Sequence, residues 1–217
     1  AFISALDVNE GVALWTTLLG DANDDFGYAV TIGSNNDVYV AGRYTDIAQG
    51  PGPGSRGHEV FLTKINGMNG SQSWTRLFGS YFEYDQGGGM PIEWLPTGKA
   101  DEAFGLATGS DGYIYMTGTT KFDYYDSRFG SDEYREGPIN EVGGTNAFIT
   151  KIEPYTGAMK WASLVGSHKV GFTKADTIAT SIDKSIYIAG HTNVPPFGIQ
   201  EVNGIDPFIS RFNENGE

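Results

Sequence analysis

An all-β fold assembled from repeated four-stranded sheets is what this sequence predicts, and three observations predict it. A Phe-led strand opening recurs as AFISAL at Ala1, VFLTKI at Val60, AFITKI at Ala147 and PFISRF at Pro207. In the three complete copies a Trp follows at one constant spacing: Phe2 to Trp15, Phe61 to Trp74 and Phe148 to Trp161. Composition agrees, because Gly 31 and aromatics at 13% favour short strands and turns over helices.

Each copy begins with a strand. In VFLTKI, Phe61, Thr63 and Ile65 fall on one side while Val60, Leu62 and Lys64 fall on the other, the period of two that marks β structure. The segments that follow (DVNEG, NGMNG, EPYTG) end in Gly11, Gly70 and Gly157, and Gly accepts the positive φ that a reversal demands. The Trp then sits on a second strand, so three tryptophans in register imply one packing task performed three times. Between one Trp and the next Phe lies another repeated hairpin, in which Tyr39, Tyr115 and Tyr187 precede Gly42, Gly118 and Gly190. A Gly held at one strand position predicts close backbone approach by a neighbour. Asn35-Asn36, Asp111-Gly112 and Asp183-Lys184 stand at the reversals, where they suit two-residue hairpin turns.

The unit is therefore four strands, lettered A to D from the inside outward, repeating about every 60 residues apart from one longer copy, which is the pattern of propeller blades. Repeat boundaries fall near 1–59, 60–146, 147–206 and 207–217 within a single partial propeller. The chain starts on strand C, runs through two whole blades and stops after strand C of another. That predicts about 13 strands in an incomplete ring of about three to four blades. The remaining blades are expected from the same longer chain or from other subunits.

The residues GDANDDFGYAVTIGSNNDVYVAGRYTD, with EVFLTKI after them, resemble the bacterial β-propeller repeat called SBBP. The resemblance covers nearly the whole chain except two insertions. It implies a multi-bladed propeller, often in secreted or cell-surface proteins, with no activity assigned to the repeat itself. A second resemblance lies in ALDVNEGVALW, KINGMNGSQSW and KIEPYTGAMKW, which are similar to the tryptophan-docking motif of quinoprotein dehydrogenase propellers. Ala5, Asp7, Thr156, the three Gly and the three Trp match it, while Asn66 and Glu153 replace its Asp. What that likeness implies is a lock between blades.

Charge and composition exclude several roles. A formal charge of -13 repels nucleic acid and anionic lipid. No apolar run is long enough to span a membrane, and the lack of cysteine removes disulfides, thiolate metal sites and thiol nucleophiles. Gly52 to Gly57 satisfies G-x-G-x-x-G literally, but it precedes a strand and contains prolines, so the phosphate-cradling mechanism fails. His58, His168 and His191 show no H-E-x-x-H spacing. Asn69-Gly70-Ser71 is an N-glycosylation sequon on a C–D turn.

The distinctive chemistry lies in two insertions, Ser80–Glu102 in a D–A connection and Lys121–Asn146 in a B–C connection. The repeat places both on one face beside the same blade, and long loops on a rigid scaffold are where function is added. Their ligand-binding candidates are Tyr81, Tyr84, Glu93, Trp94, Tyr124, Tyr125, Asp126 and Tyr134. Aromatic faces suit sugar rings or a protein surface, and carboxylates accept hydroxyl hydrogen bonds or hold Ca²⁺. Asp21, Asn23 and Asp25 have the spacing that opens a calcium loop, but Phe26 stands where Gly belongs, so an Asx-rich turn is favoured.

The reading is a non-catalytic scaffold or binding module of a secreted or cell-surface protein, with a protein or glycan partner. Its rivals are a quinoprotein-like oxidoreductase and a glycan-binding or glycan-degrading propeller. A quinoprotein should set quinone-stacking Trp and cation-binding Glu, Asn and Asp at the axial mouth, and no such set is recognisable.

Overall fold

The computed structural model describes residues 1–47, 56–78, 81–84, 93–96, 101–120, 144–166, 171–194 and 204–217. Among the described residues every regular element is a strand, and no helix occurs. β1 (Phe2–Leu6) and β2 (Ala13–Leu18) form a hairpin. β3 (Phe26–Ile32), β4 (Val38–Ile47), β5 (Arg56–Ile65) and β6 (Gln72–Phe78) make a four-stranded sheet in that order. β7 (Tyr81–Tyr84) and β8 (Glu93–Pro96) pair apart from it. A second four-stranded sheet holds β9 (Glu102–Thr108), β10 (Ile114–Thr120), β11 (Asn146–Ile152) and β12 (Met159–Val165). The last sheet has three strands, β13 (Thr173–Thr180), β14 (Ile186–Thr192) and β15 (Asp206–Phe212).

Apart from β7 and β8, this grouping starts on strand C and ends on strand C, as the repeat predicts. The two extra strands raise the described total to 15, against the expected 13 or so. They lie inside Ser80–Glu102, where YFEY and EWLP bring enough aromatic residues to form a hairpin of their own.

The sheets stack as propeller blades, inner strand to inner strand. β9 packs on β3 and β4 on one side and on β13 on the other. Three apolar seams result. Ile3 and Trp15 pack against Val40, Phe61 and Ile65 of the second blade. Tyr39, Ala41 and Leu62 meet Leu106, Met116 and Phe148 in the middle seam. Tyr115 and Ile149 meet Ile178, Ile188 and Phe208 in the last. Every residue of β10 and β11 is buried, because neighbouring blades cover both faces of those strands.

The A–B reversals differ from the two-residue turns expected. Gly33 N–H donates to the Asp37 carbonyl and Asn36 N–H to the Gly33 carbonyl, with Asn36 at φ 60°. Gly112 at φ 80° and Lys184 at φ 64° repeat this arrangement. Each is a three-residue connection whose third residue is left-handed, and the extra residue keeps the strand register. On strand B, a Cβ at Gly42, Gly118 or Gly190 would collide with the carbonyl oxygen of Phe26, Glu102 or Lys174. Beside each glycine the register skips, which leaves Tyr28, Phe104 and Asp176 as the extra residues of three equivalent bulges.

Candidate functional site

Each bulge lies near the start of a strand A, at the end of the sheets where the D–A and B–C connections run. A bulge re-aims the side chain it frees. In the second and third blades the freed residues are aromatic: the Phe26 and Tyr28 rings stack 6.1 Å apart and Tyr28 lies 5.2 Å from Phe104 across the seam. Phe26 is 42% exposed and Tyr28 40%, so these rings stand open to a ligand. Arg43 supports them from beneath. Its guanidinium lies 4.4 Å over the Phe26 ring and pairs with Glu102 Oε1 at 3.1 Å. Partial burial pushes the Tyr28 phenol pKa upward, so its hydroxyl is a protonated donor. Burial, with the Arg43 charge adding to it, holds the His58 imidazole below the usual His range.

The fourth blade presents different chemistry at the same height. His191 Nδ1 lies 2.7 Å from Asp176 Oδ2, and Phe172 meets the imidazole edge-on at 5.6 Å. Lys174 is the cross-strand partner of His191. Among the described residues the hydrogen-bond partner of that imidazole is the Asp176 carboxylate. The assembled edge is an aromatic half beside a charged half, suited to recognition.

Sequence reasoning did not single out this edge. Strand-entry positions Phe26, Glu102 and Lys174 differ between repeats, as do Tyr28, Phe104 and Asp176, while the flanking strand-B glycines do not change. That contrast within one register was the available signal. The residues chosen instead fall elsewhere. Tyr81, Tyr84, Glu93 and Trp94 lie on β7 and β8, where Tyr84 pairs in register with Glu93 and Glu83 with Trp94. Their side chains lie outside the described residues, and so do Tyr124, Tyr125, Asp126 and Tyr134 entirely.

In the Asp21–Asp25 stretch the carboxylates are engaged by the chain itself. Asp25 accepts from the Asp21 N–H at 2.9 Å and the Thr45 N–H at 3.0 Å. Asp21 accepts from the Asn23 N–H and the Tyr44 hydroxyl, which lower its pKa. This joins the D–A turn to the end of β4, an Asx-turn function.

The three repeat tryptophans each dock on the C–D turn of the next blade. A Cβ on Gly70 would strike Trp15, one on Gly157 would strike Trp74 and Arg76, and one on Gly216 would strike Trp161. Trp15 Nε1 donates to the Gly67 carbonyl and Trp161 Nε1 to the Glu214 carbonyl, both at 3.0 Å. A buried basic residue recurs on strand C. Lys64 pairs with Asp37 at 2.8 Å and Lys151 with Asp111 at 2.8 Å, the acids occupying different turn positions.

No protein-family model matches the chain. It is similar to an uncharacterized WD repeat-containing protein, L264, of Acanthamoeba polyphaga mimivirus, at 23% identity over 225 residues. The match takes in 92% of this chain but 15% of that protein, so the chain spans a small part of its relative.

Proposed function

We propose that this chain is a non-catalytic β-propeller segment, a scaffold that binds a protein partner at the face carrying its D–A and B–C connections. The observation that carries this reading is the Phe26–Tyr28–Phe104 run, exposed at Phe26 and Tyr28 and half-buried at Phe104, braced by the Arg43–Glu102 pair. Aromatic rings that keep exposed area while their neighbours are fixed are the kind of anchor on which binding energy concentrates. The strands that the two insertions connect, β6 to β9 and β10 to β11, meet them at this same end of the sheets. A WD repeat-containing relative supports a propeller that works through protein contacts, and the charge of -13 favours a partner with a basic surface. Within this reading the blades are of the SBBP type, and the protein acts outside the cell or at its surface. Carboxylates of the insertions offer a place for Ca²⁺.

Cross-linking the chain to partners from its native source, with mass-spectrometric identification, tests the proposal. A partner recovered with the unaltered chain should be lost with a Tyr28→Ala/Phe104→Ala variant and retained with Asn69→Ala on the opposite face. Recovery that ignores Tyr28 and Phe104 would overturn the reading. So would selective signal on a glycan array, or dye reduction in the presence of quinone and Ca²⁺.

A further inference from the structure

The three seams between blades use the same two positions as a lock, except the middle one. In the first, Trp15 Nε1 donates to the Gly67 carbonyl and the Thr17 hydroxyl to the Gly70 carbonyl. In the last, Trp161 Nε1 donates to the Glu214 carbonyl at 3.0 Å and the Ser163 hydroxyl to the Gly216 carbonyl at 3.1 Å. Among the described residues both are missing from the middle seam, where Trp74 Nε1 is buried without a partner and Arg76 stands where Thr17 and Ser163 supply a hydroxyl, so that a single rim bond, from the Tyr39 hydroxyl, crosses it.

The difference lies in which donor reaches one rim carbonyl. The carbonyl equivalent to those of Gly67 and Glu214 belongs to Pro154, and the Tyr39 hydroxyl donates to it at 2.9 Å. The equivalent Tyr115 donates instead to Asp111 Oδ2 at 2.8 Å, and the Glu214 carbonyl accepts from both the indole and Lys151 Nζ, the latter at 3.3 Å. Blade two has Asn35 at the Asp111 position, and its acid is Asp37, bonded to Lys64. With Asn35 where the third blade has Asp111, the Tyr39 hydroxyl bonds to the Pro154 carbonyl. The Trp74 ring sits accordingly: its outer benzo edge, Cζ3 and Cη2, lies over Gly157, whereas Trp15 and Trp161 place Cε3 and Cδ2 over Gly70 and Gly216.

The inner end of the same seam is well tied. Arg43 pairs with Glu102, Tyr28 packs on Phe104, and the Thr108 hydroxyl donates to the Ile32 carbonyl at 2.8 Å. We infer that the seam between β3–β6 and β9–β12 is a built-in hinge, pivoting on strands β3 and β9 and yielding at the rim where β6 meets the turn at 153–157. Its two states are set by which donor holds the Pro154 carbonyl, Tyr39 in the open-prone state and Trp74 in the locked one. Because the pivot passes through Arg43, Tyr28, Glu102 and Phe104, rim opening changes the angle between the blades that present those residues. The hinge itself rests only on the seam contacts and not on the binding role proposed for that edge.

Hydrogen exchange on the whole chain, read by NMR, tests this. The turns at 66–70 and 153–157 have matching internal bonds, Gly70 N–H to the Asn66 carbonyl and Gly157 N–H to the Glu153 carbonyl, both at 2.9 Å. Their amides can therefore be compared directly. Glu153 and Gly157 should exchange about tenfold faster than Asn66 and Gly70, the effect of one cross-seam hydrogen bond where the first seam has two. The Trp74 indole proton, assigned with Trp74→Phe, should lack the hydrogen-bonded shift of Trp15 and Trp161. Tyr39→Phe should give it that shift, and Tyr39→Phe/Arg76→Thr should bring the two turns to equal protection. Equal protection in the unaltered chain would overturn the inference. An indole proton unmoved by Tyr39→Phe would overturn the switch between donors.

Discussion

The third blade and the β1–β2 hairpin are written in nearly the same residues and live in different surroundings. AFITKI and AFISAL share the strand-C pattern, yet Phe148 is 9% exposed and Phe2 69%. The contrast recurs further along the chain, where Ile149 is fully buried and its equivalent Ile209 is 71% exposed. Local sequence makes these segments strands, but the neighbouring sheet decides what they bury. In a stacked-repeat architecture stability resides largely at the interfaces between units, so equivalent residues should differ in energetic weight by their seam and not by their identity.

The strongest way to break that view is at the tryptophans. Trp161→Ala removes a ring packed in the last seam together with its bond to the Glu214 carbonyl, and should cost about 3–5 kcal/mol in denaturant unfolding. Trp15→Ala, in a hairpin covered on one side, should cost less. A loss below about 1 kcal/mol for Trp161 would show that the ring is peripheral and the seam argument wrong. Next in size is Ile149→Ala, which opens a cavity at a fully buried position of β11 and should cost about 2–5 kcal/mol.

A smaller effect should come from acid, and it sharpens the comparison between blades two and three. Burial alone would raise the Asp111 pKa, but its bonds to Lys151, Tyr115 and the Tyr113 N–H outweigh burial and hold it below the usual carboxylate value. A carboxylate with a depressed folded-state pKa contributes stability that is present above its unfolded pKa. That contribution is lost as pH falls through the folded value. Asp111→Asn should therefore flatten the acid limb of the stability–pH curve relative to the unaltered chain. Parallel acid limbs would mean that the Lys151–Asp111 pair does not strengthen the fold in the way its geometry indicates. Lys64 gives the alkaline counterpart. Burial opposes its charge, but Asp37 and Tyr39 raise its pKa, so its contribution is present below the unfolded value and fades as pH climbs through the folded one.

The Phe, Trp and Gly spacings made the blades legible, including where the strand groups begin and end, because a propeller repeats its hydrophobic pattern and its turn residues together. The bulges were not legible. An inserted residue shifts the face parity on which period-two reading depends, so Tyr28, Phe104 and Asp176 looked like ordinary strand positions. Nor could spacing show which donor reaches the rim carbonyl beside Trp74. There Tyr39 has Asn35 four residues before it, where Tyr115 has Asp111 to accept its hydroxyl. A polar contact made across a seam leaves no periodic mark in either partner. The β7–β8 hairpin escaped for a simpler reason: it belongs to an insertion, and the repeat supplies no template for it.

The smallest expected change is the most direct check on the opening comparison. Ile209 occupies the strand-C position that Leu62 and Ile149 bury completely in the middle and last seams. Ile209→Thr keeps the β-branch, so strand propensity is nearly unchanged and the readout isolates apolar burial. At 71% exposure little apolar area leaves water on folding, and the substitution should alter unfolding free energy by no more than about 0.5 kcal/mol. The same change at Ile149 would place a hydroxyl in a dry seam and cost several times as much. If Ile209→Thr instead destabilises the chain by over about 1 kcal/mol at high protein concentration and not at low, that side chain is covered by association. A large loss independent of concentration would be the more damaging result. It would mean that residues equivalent in the repeat carry equal weight whether or not a neighbouring sheet covers them, and that burial at the seams is not what holds these blades.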